Sequence, residues 1–262
     1  MAASTAVDQT IRRTAHQIFE RVEDNAHEEL RRSAQALAFS GLTGGLTMGL
    51  TGLGVATALA ALPDSASRNF VAYLIYPLGF IAVIIGRAQL FTENTLYPIA
   101  LILSERRHML DTARLWAVVF ISNLLGAVIF AALAIRTDAL NNAVSQQLVQ
   151  LGSQFVASSV SHVFWSAVIG GWLIALVAWL VTASHWTIGQ IAVIWPLTFV
   201  VGVGRFSHCI ASSGEIMSAV FAGSVPLTQY LSWLAVATAG NIVGGVTIVT
   251  LLNFGQVKAG EA

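Results

Sequence analysis

His208 stands inside a long apolar stretch of the chain, in the run Gly202-Val203-Gly204-Arg205-Phe206-Ser207-His208-Cys209-Ile210-Ala211-Ser212-Ser213-Gly214-Glu215. Histidine titrates near pH 6.5 when unperturbed, so it is the side chain best suited to exchange a proton with a small weak acid or to attract its anion. A small anion loses several kcal/mol of hydration in an apolar constriction, whereas its conjugate acid loses far less. A histidine enclosed there is expected to be neutral when empty and cationic when an anion arrives. The adjacent Cys209 suggests a nucleophile pair, but neighbours on a helix diverge by about 100° and no third orienting group is evident, so an enzyme is not expected. Cys209 is also the only cysteine, which excludes an intrachain disulfide and a thiolate metal site of the usual kind. The remaining histidines, His16, His27, His108, His162 and His185, fall in polar segments or at the ends of apolar runs, where interfacial or solvated roles are expected.

Four charges share the apolar interior with His208: Arg87, Arg205, Glu93 and Glu215. Charges at such positions either pair or face water. Arginines locking the broken helix ends, through salt bridges to the glutamates or hydrogen bonds to freed carbonyls, are the simpler expectation; the alternative is an electropositive element that draws anions inward.

The elements that must position these residues follow from composition. Of 262 residues, 56% are hydrophobic and 10% charged, against about 25% charged in ordinary soluble domains, and the net charge is zero. Nucleic acid is therefore not an expected partner. Six runs, 35–62, 69–103, 111–135, 162–184, 187–222 and 229–252, reach the length of about 20 residues that a bilayer crossing needs. Residues 1–34 are polar and charge-rich, unlike a cleavable signal, and Ile11, Ala15, Ile18, Val22 and Ala26 recur at helical spacing. We read 1–34 as an amphipathic cytoplasmic helix, 35–254 as the membrane domain and 255–262 as a cytoplasmic tail. Arg12, Arg13, Arg21, Arg31, Arg32, Arg106, Arg107, Arg114 and Lys258 fall on one side of this map, and only Arg68 and Arg136 on the other. The excess predicts cytoplasmic termini.

The runs 69–103 and 187–222 are too long for straight spans, so both are expected to break, at 86–94 and 202–215. Gly86-Arg87 precedes Asn123-Leu124-Leu125-Gly126 just as Gly204-Arg205 precedes Asn241-Ile242-Val243-Gly244, with 36 residues from Arg to Asn each time and a shift of 118 between the copies. Three spans per copy, about 35–135 and 162–252, make this an inverted repeat with its site near the midplane. Gly41, Gly45 and Gly49 form a packing stripe, and Thr43, Thr47 and Thr51 a second one able to hydrogen-bond a neighbouring helix.

The runs Gln89-Leu90-Phe91-Thr92-Glu93-Asn94 and His208-Cys209-Ile210-Ala211-Ser212, with the paired Asn-x-x-Gly motifs, resemble the formate/nitrite transporter family and its YfdC-like branch. The resemblance covers about Leu30 to Phe254. It implies six helices in an aquaporin-like inverted repeat with broken second and fifth helices, assembled as a homopentamer in the bacterial inner membrane with a pore in each protomer. Small monovalent anions such as formate or nitrite then pass between two apolar constrictions, exchanging a proton with a central histidine and needing no cofactor. By position, His208 matches that histidine, Thr92 the loop threonine, Leu90 and Phe91 the apolar loop residues, and Tyr76, Phe80 and Val201 the constrictions. Asn123 and Asn241, with the four charges, are expected to support the pore. The chain departs from the family pattern in four ways: no Lys or Arg lies in 155–162, Gly171 stands where an asparagine is expected, Ser212 replaces an Asn, and Ser207 stands where Glu is frequent. An aquaporin-like conduit for neutral solutes is the alternative, although neither break contains Asn-Pro-Ala.

Overall fold

The computed structural model describes residues 13–260, and every regular element among them is helical. Helix α1 (Ala15–Arg31) starts at a capping box in which the Thr14 hydroxyl accepts from the Gln17 backbone N–H and the Gln17 side chain accepts from that of Thr14. Its buried stripe is Phe19, Val22, Ala26 and Leu30. The expected stripe thus keeps Val22 and Ala26, while Ile11 lies outside the described residues.

Ser33 caps α2 (Ala34–Ala61). The second apolar run is divided into α3 (Arg68–Tyr73), α4 (Pro77–Ile85) and α5 (Tyr97–Glu105), followed by α6 (Met109–Arg136). Pro77 and Pro98 each fall in the first turn of a helix, where a missing N–H costs no intrahelical bond. The second half comprises α7 (Asn142–Val156), α8 (Val160–Ala183), α9 (Thr187–Val203), α10 (Ala211–Phe221) and α11 (Leu227–Val243). Helix α11 continues through a π-helical segment, Gly244–Leu251, into α12 (Leu252–Ala259).

Among the described residues, five helical stretches are long and apolar enough to cross a membrane: Ala34–Ala61, Arg68–Ile85 (α3 with α4), Met109–Arg136, Val160–Ala183 and Leu227–Ala259 (α11 to α12). Thr187–Val203 is a shorter apolar helix, so all six expected runs are helical. Both expected breaks are present. The first covers residues 86–96, with one 3-10 turn at Glu93–Thr95; the second, at 204–210, is narrower than expected because α10 has already begun at Ala211.

Packing follows the repeat. Helix α2 lies on α6 as α8 lies on α11, and α1 lies on α5 as α7 lies on α10, while α4 and α9 join the halves. Helix α7 was not anticipated. Its signals are Asn141, whose side chain accepts from the Val144 N–H, and the buried spacing Val144, Leu148, Leu151 and Phe155. It occupies in the second half the place that α1 holds in the first.

The glycine stripe of α2 faces α6, with Gly41 against Ser122, Gly45 against the Asn123 backbone and Gly49 against Phe130. The threonine stripe behaves differently from expectation. Thr43 and Thr51 donate to Phe39 and Met48 carbonyls of their own helix, at 3.0 and 2.8 Å, because the preceding turn is the nearest acceptor.

Candidate functional site

A helix that stops inside an apolar layer frees backbone groups that water cannot satisfy. Here two asparagines serve both breaks in the same way. Asn123 on α6 accepts from the Phe91 N–H at 2.9 Å and donates to the carbonyls of Gly41 and Gln89 at 2.7 and 2.9 Å. Asn241 on α11 accepts from the Cys209 N–H at 2.8 Å and donates to the carbonyls of Ala167 and Ser207 at 2.7 and 2.9 Å. Phe91 and Cys209, like Gln89 and Ser207, are related by the 118-residue shift. Serines complete the pattern: Ser40 accepts from the Gln89 N–H at 3.1 Å and Ser166 from the Ser207 N–H at 2.9 Å. Both serines were missed in the sequence, since neither lies in a recognisable motif.

The start of each break also repeats. Arg87 and Arg205 have left-handed backbones, φ 57° and 54°, and the following N–H returns to the Val83 and Val201 carbonyls respectively. A non-glycine residue pays roughly 1–2 kcal/mol for this conformation, so the repetition marks a specific turn. Neither guanidinium is ion-paired among the described residues. Both are exposed, with Arg205 5.9 Å from the centre of the Phe155 ring. The expected locks to Glu93 and Glu215 are not formed; Glu93 is partly exposed and Glu215 is buried beside Gly52.

Where the breaks meet, Thr92 Oγ1 and His208 Nε2 are 2.8 Å apart, both fully buried. His208 Nδ1 accepts from the backbone N–H groups of Ala211 and Ile210, at 3.0 and 3.3 Å, at the open N-terminus of α10. A nitrogen that accepts cannot carry the proton, so the neutral ring holds its proton on Nε2 and donates it to Thr92. The Thr92 hydroxyl keeps its own hydrogen to offer elsewhere. Thr95 donates to the Thr92 carbonyl at 2.7 Å, and the Thr250 hydroxyl in the π-helical segment lies 3.1 Å from both the Thr95 carbonyl and the Gly245 carbonyl of its own segment, so two threonines brace the loop. No sequence signal marked Thr250.

The other expected pore residues divide into two groups. Phe80 lies edge-on to His208 with ring centres 5.3 Å apart, Tyr76 lies 5.8 Å from Phe80, and Tyr73 lies 6.0 Å from Tyr76. Val201 and Leu90 are fully buried in the same core. The Phe91 ring instead packs against Trp116 and Phe120 of α6, at 5.6 and 4.9 Å.

Two cavities approach the site. One, of about 600 Å³, is lined by Asn25, Glu28 and Glu29 of α1, by Arg32 just past it, and by Arg87, Gln89, Glu93 and Asn94 of the first break. The other, of about 360 Å³, is lined by Arg68, Arg205 and Tyr73 with Gln147, Gln150 and Gln154 of α7, and by no carboxylate.

The sequence profile described as "Formate/nitrite transporter" matches residues 16–255. The chain belongs to the formate/nitrite transporter family. It is 32% identical over 245 residues to "Inner membrane protein YfdC" of Escherichia coli (strain K12), covering 92% of this chain and 78% of that protein. It is 33% identical over 196 residues to "Probable formate transporter" of Methanothermobacter thermautotrophicus, covering 68% of this chain and 71% of that one. Among solved structures, "FNT family ion channel" superposes with a TM-score of 0.82 at 19% identity, covering 91% of this chain and 98% of that one. "Pentameric formate channel with formate bound" superposes with a TM-score of 0.70 at 18% identity, over 84% and 95%. The fold is shared, the similarity to YfdC supports the expected branch, and this formate/nitrite transporter family member is an integral membrane protein.

Its departures from the family pattern now have positions. Gly171 packs so closely on the Asn241 backbone that its Cα has no room for a side chain. Ser207 spends its N–H on Ser166 and its carbonyl on Asn241. The Ser212 hydroxyl, one turn beyond His208, is buried without a hydrogen-bond partner.

Proposed function

We propose that this chain conducts small monovalent anions of weak acids, formate and nitrite being the first to test, through a path in each protomer that is gated at Thr92 and His208. The observation that carries the reading is the 2.8 Å Thr92–His208 contact at the meeting of two broken helices. Polar backbone at membrane depth belongs where a path runs. The paired asparagines and the 118-residue correspondence favour six helices in an aquaporin-like inverted repeat.

Anions enter through the cavity lined by Arg68 and Arg205, where Arg68 is paired with Asp64 and the charge of Arg205, unpaired among the described residues, favours them, and meet the aromatic series from Tyr73 to Phe80. Arg205 there supplies the charge that residues 155–162 lack. Beyond Phe80 the anion takes the hydrogen of the Thr92 hydroxyl, which His208 polarises from behind; the unpartnered Ser212 hydroxyl is a second donor within reach of the same turn. Proton exchange requires a further state. For His208 to become cationic Nδ1 must take a proton, and it does so only by giving up the Ala211 and Ile210 N–H groups. Proton-linked passage therefore involves movement at the start of α10.

Assembly as a homopentamer fits the apolar faces that one protomer leaves exposed, such as Ile121, Leu125, Ile129 and Leu133 on α6 and Trp165 and Trp172 on α8. The basic excess supports a cytoplasmic position for the termini, with α1, at the inner membrane. The aquaporin-like alternative predicts glycerol passage. Liposome swelling and internal pH recorded with formate, nitrite, chloride and glycerol test the reading; it requires formate- or nitrite-driven signals, and swelling in glycerol alone overturns it.

A further inference from the structure

Outside the path, one group of side chains joins α1 to the turn between α5 and α6. Left-handed backbones at Arg106 and His108, φ 54° and 73°, bring Glu105 and His108 to one side of that turn. Glu105 Oε1 lies 2.8 Å from His27 Nε2 on α1, and Oε2 lies 3.0 Å from His108 Nε2. One ligand atom from each residue falls within 4.8 Å of the other two, and the imidazole rings stand at 90° with centres 5.7 Å apart.

We propose that His27, Glu105 and His108 bind a divalent transition-metal ion of the zinc class, which clamps α1 to the turn between α5 and α6. Two imidazole nitrogens and one carboxylate form a borderline donor set that suits zinc and disfavours magnesium or calcium, which require oxygen ligands. Ligand bonds of about 2.0–2.2 Å place tetrahedral donors roughly 3.4 Å apart, so the carboxylate–imidazole contacts of 2.8 and 3.0 Å need to open by only about half an ångström. Binding requires both Nε2 atoms, which now face the Glu105 oxygens, to be unprotonated; Asp111 Oδ2, 3.7 Å from His108 Nδ1, is placed to hold the proton on that nitrogen after a small approach. Arg107 already holds Glu105 Oε2 at 2.5 Å but is mostly exposed, and it keeps that oxygen or moves to water when Oε1 turns to the ion. The neighbouring open cavity is lined by Glu20, Glu23 and Asp24 as well as Arg13 and Arg21.

The clamp has a consequence that rests on the transport reading above. Helix α1 supplies three residues to the cavity that reaches the first break, and Arg32 just past its end a fourth, so an ion pinning α1 slows passage on that side.

The test uses the full chain in mild detergent, stripped with a chelator and titrated with Zn2+ by calorimetry, with Co2+ absorption reporting the ligand geometry. One ion per protomer is expected. The double variant His27→Gln/His108→Gln should bind more than about 100-fold more weakly, and Asp111→Asn about 10–100-fold more weakly. His27→Cys, which keeps a zinc ligand, should retain binding and guards against a folding defect in the glutamine variants. No uptake by the unaltered protein, or equal uptake by the double variant, overturns the site. In liposomes Zn2+ should slow formate flux through the unaltered protein and leave the double variant unaffected; binding without slowing overturns the clamp. Zinc binding by a protein that passes no anion would overturn the transport reading while leaving the metal site standing.

Discussion

The two breaks share one scaffold and differ in their chemistry. Each begins with a left-handed arginine, each passes a serine hydroxyl, and each is tied to two helices by one asparagine making three hydrogen bonds. By the 118-residue shift, however, His208 corresponds to Leu90, and Thr92 to Ile210. The pair that meets is thus not a symmetric pair. Repetition solves the problem they share, satisfying backbone at membrane depth, and leaves the tips free to diverge into a donor–acceptor couple. The cavities diverge as well, since the one beside Arg87 mixes Glu28, Glu29 and Glu93 with basic residues, and the one beside Arg205 holds arginines and glutamines.

The shared scaffold predicts the largest effect. Asn123→Ala and Asn241→Ala each strand two backbone groups of a break, the Phe91 N–H and Gln89 carbonyl or the Cys209 N–H and Ser207 carbonyl, at about 1–3 kcal/mol apiece, so both should lower thermal stability in detergent severely and to a similar degree. A large loss from one and none from the other would break the equivalence of the two halves.

The cavities predict a smaller and unequal effect. Arg205→Gly and Arg87→Gly remove charge while suiting the left-handed backbone, so stability should hold. Formate influx at low ionic strength should fall more for Arg205→Gly than for Arg87→Gly, and the gap should narrow as salt screens the field. Equal losses would remove the distinction between the two entrances.

Thr92→Val is expected to be milder. It deletes a hydrogen bond worth about 0.5–1.5 kcal/mol and leaves the histidine in place, so flux should drop about two- to tenfold with its pH dependence unchanged in shape. A loss as complete as that caused by removing His208 would make the hydroxyl, and not the imidazole, the decisive group.

Much of this was legible in the sequence because apolar run length, Gly-Arg and Asn-x-x-Gly are local signals: they located six runs, both breaks and the correspondence between halves. Helix α7 was lost between runs because its stripe, from Val144 to Phe155, is too short and polar to compete with its neighbours. Spacing could not reveal that Arg87 and Arg205 turn into cavities rather than toward Glu93 and Glu215, because a backbone turn sets their direction. Nor could it show Phe91 packing on Trp116 and Phe120, or Thr250 reaching Thr95, since both depend on which helix face arrives from far along the chain. The three members of the proposed metal site were visible only as separate polar residues.

The central claim is that His208 exchanges a proton with the passing anion. Its most direct test is the pH dependence of formate and nitrite uptake by His208→Phe protein in liposomes, after its assembly has been checked by mass in mild detergent. Phenylalanine fills the ring's volume but cannot carry a proton, so pH-responsive uptake should disappear from a correctly folded protein, whereas His208→Asn should keep a polar contact and pass anion without its proton. Unchanged pH dependence in assembled His208→Phe protein would contradict the account.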